Sequence, residues 1–307
     1  MGRIEDTYKA RDVEEIIDIH LYRPWGYALA LGARKLRITP NQISVVGMIV
    51  GLASGHMFMY TDPWLNAIGV FLWMLGQALD GADGQLARMT DTRSRLGRML
   101  DGISDSVKFA SLYLPVGYRM YEASGDLWVF AVVVFAGLTH SYQSSLADFY
   151  RNAYLFFVEK PGKAEFESSK RLLEDKKKLS WRNDFTERFL MGAYITYTRR
   201  QERFSRRSGY LYERARELYG CEIPENVKTL YRKLNRKLLK YYNALTTNTR
   251  MIVFFASLLL GNFWIFFTFE IIGLNALMIL MMTRVQKKAD AAILREMESS
   301  GIPPVKL

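Results

Sequence analysis

Cysteine is nearly absent: Cys221 stands alone in 307 residues, so no intrachain disulfide can form and the composition is compatible with a reducing compartment. Glycine and proline, at 22 and 8 residues, are too sparse for a fibrous chain, and a chain half hydrophobic is too apolar for intrinsic disorder. No cleavable signal peptide is expected, because Glu5, Asp6, Asp12, Glu14, Glu15 and Asp18 make the first 22 residues too polar. Histidine is scarce as well, and His56 and His140 sit singly among apolar residues, a setting that favours packing over metal ligation. What the chain does have is a formal charge of +11, from 42 Lys and Arg against 31 Asp and Glu. Its mean hydropathy of −0.06 looks soluble, but the average conceals segregation.

Residues 43–60 carry no formal charge over 18 positions, close to the roughly 20 needed to cross a bilayer core. Further apolar runs occupy 64–79, 127–138, 251–269 and 271–282, and a sixth, 103–121, is interrupted by Asp105 and Lys108. Runs arranged in close pairs predict an all-α polytopic membrane protein with six transmembrane helices, rather than a set of soluble core helices. Charges in the 103–121 run must then face protein or water. The loops at 61–63, at 119–126 and around Glu270 hold one basic residue, Arg119. The opposite side holds Arg34, Lys35, the 88–98 loop, the 151–247 segment, Lys287 and Lys288. By the positive-inside rule the second side is cytoplasmic, with both termini inside. In a prokaryote that would be the inner membrane. Val13, Ile16, Ile17, Ile19 and Leu21 suggest an amphipathic surface helix before the first span, which Thr39-Pro40-Asn41 then opens.

The informative stretch runs from Asp80 to Asp105. Asp80 and Asp83 are three apart at the end of the second span, and Asp101 and Asp105 are four apart at the start of the third, so each pair shares a helix face. A short connection makes these helices antiparallel neighbours and converges four carboxylates at the cytoplasmic surface. The helix dipole favours acids at a helix start and opposes them at an end, and four clustered carboxylates repel one another or protonate. Divalent cations would resolve this, and oxygen ligands suit Mg²⁺ or Mn²⁺. Gly84, Ala87 and Gly97 leave space for a ligand beside the backbone, and Arg88 can offer a guanidinium to phosphate.

The pattern Asp80-x2-Asp83-Gly84-x2-Ala87-Arg88-x8-Gly97-x3-Asp101-x3-Asp105 resembles the signature of the CDP-alcohol phosphotransferases at every defined position. The likeness extends to the six-span layout and to Asn41, Ser44, Gly47 and Gly51. It implies two divalent cations held by Asp80, Asp83, Asp101 and Asp105, with Asp105 also the general base. It implies contacts to the CDP moiety from Asn41, Gln42, Ser44, Gly84, Ala87, Arg88, Ser94 and Gly97. It further implies a CDP-linked lipid donor, CDP-diacylglycerol, and a polar alcohol acceptor whose hydroxyl attacks the β-phosphorus and releases CMP. A polar headgroup moved from CDP to a lipid alcohol is the alternative within the family.

Lys108 and the polar end of the fourth span, with His140, Ser141, Tyr142, Gln143, Ser144, Ser145, Asp148 and Arg151, form a candidate acceptor pocket, and Lys108 with Arg151 would suit inositol phosphate or glycerol phosphate; equally, Lys108 balances the carboxylates and Arg151 anchors a span. The chain divides into 1–150 with the motif, a 151–247 insert and 248–307 with the last two spans. The insert holds 23 Lys and Arg against 12 Asp and Glu, an excess equal to that of the whole chain, and the resemblance gives it no counterpart. Helices are expected near 164–182, 184–207, 210–219 and 225–243. The basic surface would face anionic lipid headgroups or solvent, or form the contact of a homodimer. Nucleic acid is not expected, since no recognition motif accompanies the charge. An intramembrane prenyltransferase would draw its acidic motifs from separate segments, and a membrane scaffold would tolerate loss of the aspartates.

Overall fold

The computed structural model describes residues 4–7, 10, 12–159, 167–220 and 222–299, and every regular element among them is helical. Cys221, Pro161-Gly162 and the start of the helix expected near 164 lie outside the described residues. The surface helix expected within the first 22 residues does not form as a separate element. After a short turn at Ile4–Thr7, helix begins only at Ile16 and passes through a π-turn, Asp18–Tyr22, into α1 (Arg23–Lys35). The π-turn accommodates Pro24: the Arg23 amide bonds back to the Asp18 carbonyl, and Pro24, which has no N–H to give, follows where the ladder changes register.

Helix α2 (Pro40–Met57) opens with a reciprocal cap: the Thr39 side chain accepts from the Gln42 amide, and Gln42 Oε1 accepts from the Thr39 amide at 2.8 Å. Helix α3 (Pro63–Met89) starts at Asp62, whose carboxylate accepts from the amides of Trp64 and Leu65. Helix α4 (Arg95–Ser124) starts at Ser94 and ends at Gly125, whose φ of 75° suits glycine. Helix α5 (Trp128–Tyr154) continues through a π-turn at Leu155–Glu159. Helices α1 to α4 pack closely, and Gly55 shows how closely. A Cβ there would fall 2.0 Å from the Ser111 carbonyl oxygen on α4.

Four helices follow in the insert: α6 (Ser169–Lys178), α7 (Phe185–Phe204), α8 (Arg206–Tyr219) and α9 (Glu225–Ala244). They do not stand apart from the rest. Leu211, Val227, Tyr231 and Tyr242 share a core with Tyr154, Phe157, Leu274, Ile293 and Met297. Beyond α10 (Thr247–Leu259) the chain turns at Gly261, with φ 66°, and enters one long helix, Phe263–Glu298. That helix joins α11 (Phe263–Thr268), α12 (Asn275–Leu280) and α13 (Gln286–Ser299) through π-turns.

Two helices among the described residues, Trp128–Glu159 and Phe263–Glu298, are long and apolar enough to cross a bilayer. The four other expected spans map to shorter or more polar helices: α2 begins with Pro40, Asn41 and Gln42, α4 carries Asp101, Asp105 and Lys108, and α10 has 13 residues. Exposed apolar side chains nevertheless cover the outer faces of several helices. They include Val46 and Ile49 on α2, Phe71 on α3, Leu114 on α4, Phe135 on α5 and Ile252 on α10. An apolar surface of this extent marks a lipid-facing or partner-facing region. Trp64, Trp128 and Trp264 lie at the starts of α3, α5 and α11, and the last two rings stack at 5.0 Å, as expected of an aromatic belt at one interface.

Glu270 corrects the expected boundary between the last two spans. The turn lies at Gly261, and Glu270 is buried within the long helix. Its carboxylate accepts from Arg250 Nε at 2.9 and 3.2 Å, with both residues fully buried. Arg250 also donates to the Leu245 carbonyl and to Gln143 Oε1, so α5, α10 and the long helix meet at one guanidinium. A buried pair of this kind is costly to assemble and costlier to halve. Replacing Glu270 by Leu alone should destabilise the protein by ~3–5 kcal/mol, whereas Glu270→Leu with Arg250→Met should recover most of that, read as thermal unfolding in detergent.

Candidate active site

The α3–α4 hairpin brings the four motif aspartates to one cleft of about 300 Å³. Asp80 and Asp83 come from the last turns of α3, and Asp101 and Asp105 from the first turns of α4. The cap at Ser94, whose Oγ accepts from the Gly97 amide at 3.0 Å, fixes where α4 starts and hence which way its acids point. Asp83 is buried and accepts from the Ser44 hydroxyl of α2. Burial, and then the Asp80 charge, push its carboxyl up to about 7. Partial desolvation by the cleft walls, and then the Asp80 charge, raise Asp101 as well, although its side chain stays open to solvent.

Lys108 answers this repulsion. Its buried ammonium lies 2.6 Å from Asp80 Oδ1 and 2.7 Å from Asp105 Oδ1, tying α3 to α4. The lysine stem runs across Gly51 of α2, where a Cβ would come within 2.4 Å of Lys108 Cγ. Glycine is required there by the close approach of the side chain. Of the two expectations for Lys108, the geometry matches the balancing of carboxylates.

The residues expected to contact CDP separate into groups. Gly84 and Arg88 line the cleft. Asn41, Ser94 and Gly97 meet where α2 and α4 begin: a Cβ added at Gly97 would lie 3.4 Å from Asn41 Oδ1 and 3.2 Å from Ser94 Oγ. Ser44 reaches the cleft through Asp83. Gln42 is turned back into the α2 cap, and the Ala87 carbonyl accepts from the Thr92 amide in the turn after α3. In the expected acceptor pocket, Arg151 does line the cleft. His140 is buried beside Phe109, with Nδ1 3.0 Å from the Tyr113 hydroxyl, and Tyr142 packs on Phe204 and Arg200. Neither lines the cleft with the acids.

Several cleft residues escaped the sequence reading. The N-terminal segment supplies Glu14, Glu15, Asp18 and Arg23, and the end of the insert with the start of α10 supplies Thr246, Thr247 and Asn248. Glu15 links the two: it accepts from Arg151 at 2.7 Å, Thr246 at 2.6 Å and Asn248 at 3.0 Å. Burial and the Glu15 charge raise the Asp18 carboxyl, which accepts from Asn248 at 2.9 Å. Asp148 of α5, which the sequence does offer for the acceptor pocket, is a further lining acid. Eight carboxylates thus face three guanidinium groups, from Arg23, Arg88 and Arg151, an imbalance that attracts cations.

Hard oxygen donors on one wall have the chemistry to hold Mg²⁺ or Mn²⁺. As they stand, no three His, Cys, Asp or Glu side chains among the described residues are gathered closely enough to hold a metal ion; the Lys108 ammonium occupies the bridge between Asp80 and Asp105.

Comparison with known proteins gives these observations a context. The family model for CDP-alcohol phosphatidyltransferase matches residues 37–164. Archaetidylinositol phosphate synthase of Pyrococcus horikoshii is 35% identical over 82 residues, 27% of this chain and 42% of that protein. A bifunctional IPC transferase and DIPP synthase of Thermococcus kodakarensis is 30% identical over 122 residues, 38% of this chain and 27% of that protein. CDP-diacylglycerol–glycerol-3-phosphate 3-phosphatidyltransferase of Cereibacter sphaeroides is 32% identical over 81 residues, 26% of this chain and 37% of that protein. The chain therefore spans less than half the length of these curated relatives. No solved structure matches it significantly.

Replacing Lys108 by Met should leave Asp80 and Asp105 facing each other. A loss of about 1–3 kcal/mol is expected, below that of a fully buried pair because both carboxylates keep contact with water. In thermal-shift measurements the variant should gain more from added Mn²⁺ than the parent does, since the cation would replace the missing charge.

Proposed function

From the match of residues 37–164 to the CDP-alcohol phosphatidyltransferase family model, we infer that the protein is a membrane enzyme of phospholipid synthesis that transfers a substituted phosphate group from a CDP-linked donor to an alcohol. The observation that carries this reading is the joining of Asp80, Asp83, Asp101 and Asp105 on one cleft, with Gly84 and Arg88 beside them. The donor is a CDP-linked lipid, CDP-diacylglycerol, and the products are a phospholipid and CMP. With six spans, the cleft and both termini would lie on the cytoplasmic side, in the inner membrane of a prokaryote, with the basic insert toward anionic headgroups.

Asp80, Asp83, Asp101 and Asp105 would hold two divalent cations, Mg²⁺ or Mn²⁺. Bound there, such ions neutralise the donor diphosphate and the charge that develops on the leaving CMP. Arg88, whose guanidinium lies across Gly84, would contact the nucleotide diphosphate, and Asn41, Ser94 and Gly97 sit together where α2 and α4 begin. Ser44 holds Asp83 in position from α2. Asp105 receives the proton of the acceptor hydroxyl. The acceptor oxygen then bonds to the β-phosphorus, and the bond from that phosphorus to the bridging oxygen breaks in line, leaving CMP. Lys108 orients the Asp105 carboxylate for this step. Positioning and charge complementarity supply most of the acceleration.

In detergent, Asp105→Asn should still bind CDP-diacylglycerol while CMP release falls by roughly 10²–10⁴-fold. Near-normal CMP release would remove Asp105 from its role as base. Asp80→Asn or Asp101→Asn should instead weaken Mn²⁺ and donor binding together, measured by titration calorimetry.

A further inference from the structure

The insert has no part in the signature, yet helix α7 reaches the cleft wall. Tyr197 donates its hydroxyl to Asp148 Oδ2 at 2.9 Å, and Gln201 Nε2 donates to the same oxygen at 3.2 Å and to the Ser145 carbonyl at 3.2 Å. Both bonds fall on Oδ2. The other oxygen of Asp148 has no partner among the described residues, and Asp148 lines the cleft that Asp105 also lines. A carboxylate fixed through one oxygen by neutral donors has its second oxygen free to accept from an O–H or N–H on a ligand.

Helix α7 is in turn secured to the catalytic helix. Leu190, Met191 and Ile195 share a core with Met99 of α4, beside ion pairs from Arg95 to Asp175 at 2.9 Å and from Arg98 to Glu167 at 2.6 Å. The cations of the same wall are already engaged. Arg151, one turn beyond Asp148, donates to Glu15 at 2.7 Å and to Asn243 at 2.8 Å, and Arg23 binds Glu14 through two nitrogens. A phosphate entering here would meet a carboxylate and would have to displace Glu15 from Arg151. An uncharged or ammonium-bearing alcohol would meet a ready acceptor.

We propose that Asp148, positioned by Tyr197 and Gln201 of the insert, is the acceptor-specificity residue. It receives a second hydroxyl or an ammonium of the acceptor while the reacting hydroxyl faces Asp105, so the acceptor is a free polyol or amino alcohol that carries no phosphate. This rests on the transferase reading and narrows its substrate class. It also gives the insert a function, since α7 completes the acceptor side of the site.

The test uses the full chain in detergent with CDP-diacylglycerol and Mn²⁺, and follows CMP release with glycerol, inositol or ethanolamine against glycerol phosphate and inositol phosphate. The unphosphorylated acceptors should give a kcat/KM at least about tenfold higher, the polyol and ethanolamine arms separating hydroxyl from ammonium recognition. Asp148→Asn should raise the acceptor KM by about tenfold or more with the donor KM unchanged, and Tyr197→Phe should move the acceptor KM in the same direction by less. A preference for the phosphorylated acceptors, or an acceptor KM indifferent to Asp148→Asn, overturns the proposal and leaves the transferase reading standing. Absence of CMP with every acceptor overturns both.

Discussion

Carboxylate crowding at the α3–α4 hairpin is the constraint from which the rest of this structure follows. Asp80, Asp83, Asp101 and Asp105 line one cleft, and acids so close raise one another's proton affinity unless positive charge intervenes. Lys108 supplies it from within the fold, held to Asp80 and Asp105. Its route dictates Gly51 on α2, and Asp83 dictates Ser44 on the same helix. The N-terminal segment repeats the logic at the rim, where Glu14 takes Arg23 and Glu15 takes Arg151. Each element near the site is placed by the charge it must compensate.

The same economy governs the apolar part of the molecule. Glu270 and Arg250 are fully buried and pair only because three helices converge on them. The gain over an apolar pair is geometric: the guanidinium joins α5, α10 and the long helix through Gln143, the Leu245 carbonyl and Glu270, at a cost in desolvation that apolar side chains would avoid. Trp64, Trp128 and Trp264 lie at the opposite end of their helices from the acids. One end of the bundle thus suits an interface with lipid, and the other an aqueous cleft that admits a charged headgroup.

Much of the hairpin was legible because its information is local. The spacing of Asp80, Asp83, Asp101 and Asp105 fixes shared helix faces, and a short turn fixes their approach. Contacts across long separations were not legible. Glu270 interrupts an apolar run, so hydropathy places a loop there, whereas its partner Arg250 lies on another helix and the real turn falls at Gly261. Glu15 and Asp18 look like ordinary polar residues of a surface helix until Arg151 and Asn248 are brought to them from more than 130 positions away. Tyr197 carries no motif at all, and only the docking of α7 on α4 and α5 gives it Asp148. His140 and Tyr142 share the polar end of α5 with Asp148 and Arg151, but helix rotation turns them into packing positions.

The central claim is that this cleft cleaves a CDP-linked lipid by group transfer to an alcohol. Its most direct test is to incubate the purified protein with CDP-diacylglycerol and a mixture of alcohols, with Mn²⁺ or with EDTA, and to quantify CMP and lipid product together. The account predicts equal amounts of CMP and new phospholipid with Mn²⁺ and neither with EDTA. Release of CMP without a phospholipid product, or equal turnover in EDTA, would contradict it.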